Sequence, residues 1–175
     1  MSDYDYRNNC SSSRIHTVYL QNGGKYLRRN DDGTLTMVDF ISDATSFYIY
    51  EYCSPSSQRM HFHLLNNKDD INGSFHVDNK ITKNRKIVLK QNVEGKSYTN
   101  FSIIYDFDEN YELDKVSFIM EDTGYKDSTH KLYAFDNYGD GRVVWWETNG
   151  QDKYYEIKTK DNQQFKVEYI EKDIK

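Results

Sequence analysis

One proline (Pro55), two cysteines (Cys10 and Cys53) and nine glycines are all that 175 residues contain of these types. No apolar run approaches the ~20 residues that a membrane-spanning helix needs, which excludes such a helix. Two cysteines in a domain of this size point to reduced thiols more than to a disulfide framework. The opening stretch "MSDYDYRNNCSSSR" has neither the basic start nor the apolar core of a secretory signal. The expected location is therefore cytoplasmic, or exported without a visible signal peptide. An excess of positive charge is missing too. The formal net charge is −5, whereas neutralising several phosphates needs a basic surface, so nucleic acid and heparin are poor partners.

What is abundant is aromatic. Sixteen tyrosines and nine phenylalanines supply side chains that fill a core while keeping a polar end wet. The chain suits one domain with a single sizeable core. Residues 1–14 read as a disordered tail and 15–172 as that domain. Asn72 and Asn100 open Asn-x-Ser triplets, but such triplets are frequent in Asn-rich chains and carry little weight.

Helical periodicity is scarce, because the apolar stretches are short, alternate with polar residues and favour Tyr, Phe, Val and Ile. Stretches such as "TVYLQN", "TLTMVDF", "SFYIYEY", "MHFHLL", "SFHV", "KIVLKQ", "FSIIYDF", "RVVWWE", "YYEIKT" and "FKVEYI" read as strands separated by Gly, Asn and Asp clusters. The fold class is all-β. An aromatic-x-Ile triplet recurs every 54 residues, at Phe47–Ile49, Phe101–Ile103 and Tyr155–Ile157. Upstream of each lies a pair of short strands, and Leu35, Ile87 and Val143 begin corresponding third strands. Repeats at about 15–57, 58–112 and 113–170 give three four-stranded units that cannot bury their apolar faces alone. Three blades are too few for a propeller, so the expected architecture is a β-trefoil with pseudo-threefold symmetry. Leu27, Val77 and Leu132 are expected to face inward, and the Asp-Asp-Gly turn at 31–33 to supply a positive φ.

The stretch "NGGKYLRRNDDGTLTM" followed by "SFYI" resembles the repeat signature of fascin-like and of fibroblast growth factor and interleukin-1-like trefoils. That resemblance implies binding of a protein partner, filamentous actin or a receptor, through loops. Ricin-type lectins carry Gln-x-Trp at the repeat ends, where this chain reads "F-Y-I", "F-S-I" and "Y-E-I". The closing "QFKVEYIEK" is expected either to pair with the first strand or to stand as an appendage.

Catalytic signatures are lacking: there is no G-x-S-x-G, no phosphate loop and no H-E-x-x-H. An enzyme is not expected, nor a cofactor. His61 and His63 share a strand face, but a metal site needs further ligands from His16, His76 or His130, so no metal is expected. "DFDEN" and "NYGDG" do not follow the calcium-loop order and read as acidic turns. Two basic clusters stand out, Lys25, Arg28 and Arg29, and Lys83, Arg85 and Lys86; solvated faces are their ordinary reading. Trp145 and Trp146 are adjacent on a strand and must point to opposite faces, one into the core and the other exposed or covered by a loop. These eight residues are the candidate binding residues of a non-enzymatic protein-binding trefoil. A lectin, using the tryptophans and Asn/Asp-rich loops, and a Kunitz-type protease inhibitor, presenting "NNKDDING" at 66–73, are the alternatives.

Overall fold

Alternation with a period of two places Val18 and Leu20, Phe47 and Ile49, Phe62 and Leu64, and Val116, Phe118 and Met120 on one side of their strands, and all are buried. The computed structural model describes residues 13–54, 59–78, 80–91, 98–121, 132–148 and 157–170. Among them are twelve strands: β1 (Ser13–Asn22), β2 (Lys25–Arg29), β3 (Leu35–Val38), β4 (Phe47–Ser54), β5 (Arg59–Leu65), β6 (Val77–Asp78), β7 (Tyr98–Thr99), β8 (Ser102–Phe107), β9 (Leu113–Glu121), β10 (Leu132–Asn137), β11 (Val143–Glu147) and β12 (Phe165–Tyr169). No α-helix occurs among the described residues; 3-10 turns lie at Ile41–Asp43 and Asp161–Gln163. β1 begins at Ser13, two residues ahead of the expected domain start.

The sheet is antiparallel and barrel-like. β1 is flanked by β4 and β12, β4 continues to β5, and β12 continues through β9 to β8. β5 and β8 face each other across the remaining gap through side chains, with the Phe62 ring 4.4 Å from Tyr105 and 6.3 Å from Phe107. The protein is thus all-β with a nearly closed barrel. Its closing strand is "FKVEY", the segment that the sequence left as barrel strand or appendage. The expected third triplet fares differently: Tyr155 and Glu156 lie outside the described residues, and Ile157 belongs to no strand. Phe165 and Val167 of β12 occupy the position beside β1 instead, both buried. The 54-residue spacing points to Tyr155–Ile157, whereas the strand paired with β1 is Phe165–Tyr169.

Three hairpins stand against one another. β2 pairs with β3 and β10 with β11. Between them, the segments "SFHV" and "KIVLKQ" form only the short β6 and isolated bridges. The reason is visible in residues 86–90, which spend their backbone groups on three neighbours in turn: Lys86 bridges Val144, Val88 bridges Thr34, and Lys90 bridges His76. The hairpins are joined in a ring by three backbone hydrogen bonds. Leu89 N–H donates to Gly33 O (2.8 Å), Trp145 N–H to Arg85 O (2.9 Å) and Met37 N–H to Gly141 O (2.8 Å). All three accepting residues have positive φ: +88° at Gly33, +60° at Arg85 and +96° at Gly141.

The main core runs beneath this ring and includes Leu27, Met37, Val77, Leu89, Phe135 and Trp145. Leu132 is buried, as expected, but on the opposite face of β10, where it packs with Ile119 and Ala134 beneath Ile104 and Ile157. Tyr133 and Phe135 take the core-facing positions. Gln163, fully buried, donates to Asp136 Oδ2 (2.9 Å) and Glu147 O (3.1 Å) and so anchors the segment entering β12. Burial pushes the Asp136 carboxyl above its ordinary value, opposed by the amides of Gln163 and Asn162 and the charge of Lys160. Cys53 is disulfide-bonded, against the expected reduced thiol; the sequence's other cysteine, Cys10, lies outside the described residues.

Two outcomes follow from this packing. A Cβ on Gly33 would lie 2.5 Å from Leu89 O and 2.9 Å from Val88 Cγ1, whereas one on Gly139 meets nothing within 4 Å. In denaturant titrations, Gly33→Ala is expected to lose about 3 kcal/mol or more, from left-handed strain plus overlap, and Gly139→Ala about 1–2 kcal/mol from strain alone; equal losses would refute the close approach. Alkylation of the denatured, non-reduced protein is expected to leave Cys53 unmodified until a reductant is added.

Candidate functional site

The turn at 82–86 builds the first concave site. Thr82 Oγ1 donates to Asn84 Oδ1 (2.6 Å), Lys86 N–H donates to the same oxygen (3.2 Å), and Arg85 N–H donates to Thr82 O (3.0 Å). Beyond it, Ile87 and Leu89 point into the core while Lys86, Val88 and Lys90 share the outer side of an extended segment. Lys80, Lys83, Lys86 and Lys90 surround a groove of about 700 Å³, with Val88 and Trp145 in its wall and Asp78 as the carboxylate in its lining. Lys86 also helps hold the exposed Asp32 carboxyl below its ordinary value, after the larger effect of hydrogen bonds from Thr34.

Arg85 has a different task. Its backbone oxygen accepts from Trp145, its guanidinium donates to Trp145 O (3.3 Å), and that guanidinium lies 4.4 Å over the Trp146 ring. Trp145 is 2% exposed and meets Phe135 edge-on at 5.1 Å. Trp146 points the other way, as adjacent strand residues must, and packs between Arg85 and Tyr138, whose ring centroid is 5.7 Å away. Arg142 covers Tyr138 at 4.8 Å and is held by Asp140 at 2.7 Å. Arg142, Tyr138, Trp146 and Arg85 thus form a surface ladder of alternating cation and ring contacts.

The first basic cluster is not brought together. Lys25 Nζ lies 3.5 Å from Asp39 Oδ1, Arg28 is exposed, and Arg29 turns away to donate to Leu89 O from Nε (3.2 Å) and Nη2 (2.8 Å), with its guanidinium 4.8 Å over Phe75. Arg29 holds two hairpins together. Of the eight candidate residues, Lys83, Lys86 and Trp145 share the groove, Arg85 and Trp146 share the adjoining ladder, and Lys25, Arg28 and Arg29 belong to neither.

Sequence reasoning missed a buried ionic group at the barrel wall. Glu51 is 3% exposed; its Oε1 lies 3.0 Å from His16 Nε2 and its Oε2 3.3 Å from Arg14 Nη2. The signal was there: Phe47, Ile49, Glu51 and Cys53 alternate onto the inner face, and a carboxylate in that row needs partners. Arg14 and His16 also line a cavity of about 430 Å³ with Asp108, Glu112 and Tyr169. The Tyr169 hydroxyl donates to Leu113 O (2.8 Å), and burial, then the charges of Glu112 and Glu51, raise its pKa well above the ordinary phenol value.

The outer face of the β4–β5 hairpin carries a second feature. Tyr52 stacks on Tyr50 (5.0 Å), His61 (5.2 Å) and His63 (5.5 Å), and its hydroxyl lies 3.0 Å from His63 Nε2. Among the described residues, no group of three or more His, Cys, Asp or Glu is arranged to hold a metal. The 66–73 loop closes on itself, with Asn66 N–H donating to Gly73 O, Asp70 N–H to Asn67 O and Gly73 N–H to Asp70 O. Such consecutive turns differ from the extended backbone that pairs with a cleft.

Compared with protein-family models, with curated proteins and with solved structures, the chain matches none.

Burial, and then the neighbouring His61, lowers the His63 pKa from its ordinary 6.5. The folded state therefore holds this proton less tightly than the unfolded chain, so the neutral ring's contribution is present above 6.5 and is lost as pH falls through the folded value. Thermal scans between pH 7 and 5 are expected to show a fall in stability that is smaller in His63→Gln; an unchanged slope in the variant would contradict this.

Proposed function

We propose that the protein is a non-enzymatic β-trefoil that binds an acidic segment of another protein in the lysine groove, with the Arg142–Tyr138–Trp146–Arg85 ladder as the neighbouring anchor. The ring of three hairpins, each accepting from the next through a positive-φ residue, supports the trefoil reading. The observation that carries the function is the groove itself: four lysines around about 700 Å³ on a chain of net charge −5. A local positive field on an acidic molecule selects a partner by charge complementarity. Trp, Tyr and Arg are the residue types that dominate binding energy at interfaces.

Of the two expected partner kinds, a receptor outside the reducing cytosol is favoured over filamentous actin, because a disulfide at Cys53 suits an oxidising compartment. The lectin reading through Trp145 loses its ring, since Trp145 is buried.

Fluorescence anisotropy with a labelled Glu/Asp-rich peptide, beside a neutral peptide of equal length, tests this reading. Binding of the acidic peptide is expected at low salt, weakening as salt rises and by about tenfold or more in Lys83→Glu/Lys86→Glu. No preference for the acidic peptide at low salt, or unchanged affinity in the double variant, overturns it. Pelleting with filamentous actin above background would restore the cytoskeletal partner.

A further inference from the structure

A third pocket, of about 370 Å³, lies beside the stacked rings, and the described residues of its lining include no Lys, Arg, Asp or Glu. Its wall is Tyr50, Tyr52 and His63, three half-buried rings on the outer face of β4 and β5. The Tyr50 and Tyr52 planes are inclined by only 22°, and those of Tyr52 and His63 by 18°, so the rings run nearly parallel along the face. Asn72, Ser74 and Asn100 also line it. Asn72 is positioned by a tight turn in which its backbone N–H donates to Asp70 Oδ1 (3.0 Å). His76 also lines the pocket, and its Nδ1 is buried with no hydrogen-bond partner. A buried acceptor or donor of this kind is rare in native proteins unless water or a ligand completes it.

We propose that this pocket binds a neutral sugar ring, whose C–H face lies along the Tyr50–Tyr52 wall and whose hydroxyls are met by Asn72, Ser74 and Asn100. Three observations converge on that chemistry. Aromatic faces attract apolar C–H surface and leave the sugar's hydroxyls free for other bonds. Amide and hydroxyl side chains both donate and accept, as hydroxyl-rich ligands require. The described lining carries no Lys, Arg, Asp or Glu, and burial shifts His63 towards its neutral form, which disfavours anionic and cationic ligands alike. The volume falls in the lower part of the range for small-molecule sites. This site is separate from the lysine groove, and it does not use Trp145, Trp146 or any residue of the ladder.

Saturation-transfer difference NMR on the full chain, with free glucose, galactose, mannose, N-acetylglucosamine and their common disaccharides, tests the proposal. At least one neutral sugar is expected to show transfer concentrated on the protons of one ring face. Affinity is expected to fall about tenfold in Tyr50→Ala and about threefold to tenfold in Asn72→Ala. Asn72 is exposed on a turn, so that variant reads binding without a change in packing. Lys83→Glu/Lys86→Glu is the control expected to leave sugar binding unchanged, which separates failure here from failure of the acidic-partner reading. The same sugars displayed on a surface as glycoconjugates distinguish a free saccharide from a glycan carried by a partner. No transfer to any neutral sugar at about 10 mM, a concentration that detects even weak sites, overturns the proposal. So does transfer that survives undiminished in both Tyr50→Ala and Asn72→Ala, or binding confined to acidic sugars and abolished by the lysine variant.

Discussion

Three backbone hydrogen bonds, from Leu89 to Gly33, Trp145 to Arg85 and Met37 to Gly141, tie the hairpins to one another. Each accepting carbonyl belongs to a residue with a positive φ. At Gly33 and Gly141 glycine makes that conformation inexpensive; at Arg85 a bulky residue holds it, at a cost of about 1–2 kcal/mol. The Arg85 side chain offsets that cost by bonding Trp145 O and covering Trp146. Arg85 lies between Lys83 and Lys86 in the turn that leads into the lysine groove.

The buried charges are organised around the same barrel. Glu51 in the row of Phe47 and Ile49 is compensated by His16 and Arg14, and Asp136 by Gln163 and Asn162. Removing Arg14 would leave the buried Glu51 carboxylate short of its cation, and removing Gln163 would leave Asp136 short of a hydrogen bond, so these clusters constrain the strands they join. They join strands distant in sequence, β1 to β4 and β10 to the segment before β12. Each therefore specifies register where apolar side chains alone would tolerate alternatives.

Much of this was legible in the sequence, and the parts that were not have identifiable reasons. The all-β class, the Asp-Asp-Gly turn and the opposed directions of Trp145 and Trp146 follow from period-two alternation and turn chemistry, which are local. The second hairpin reads poorly because residues 86–90 alternate among three partners and so form no ladder. The strand beside β1 lies ten residues after the position that the 54-residue spacing indicates (155 to 165), and Phe165-x-Val167 has the pattern of Phe47-x-Ile49. Of the basic residues clustered in sequence, Lys83 and Lys86 line one groove, while Arg28 is exposed and Arg29 bonds Leu89 O. On a strand, neighbours in sequence point apart, so two adjacent arginines cannot serve one surface. The lysines that complete the groove, Lys80 and Lys90, join it only through the fold.

The lysine groove and the pocket of about 370 Å³ meet at one connection. His76, in the wall of the uncharged pocket, exchanges both backbone hydrogen bonds with Lys90, which lines the cationic groove, at 2.6 and 2.9 Å. Asp78, two residues further along, reaches the groove as well. Residues 74–78 and 80–90 are therefore shared scaffold, and any substitution that breaks the His76–Lys90 pairing disturbs both sites at once. Functional separation has to come from side chains at their outer ends, Asn72 and Tyr50 on one side and Lys83 and Lys86 on the other. The chemistry of the two linings differs enough that one ligand cannot satisfy both: a carboxylate gains nothing from a neutral aromatic wall, and a neutral sugar gains little from four ammonium groups.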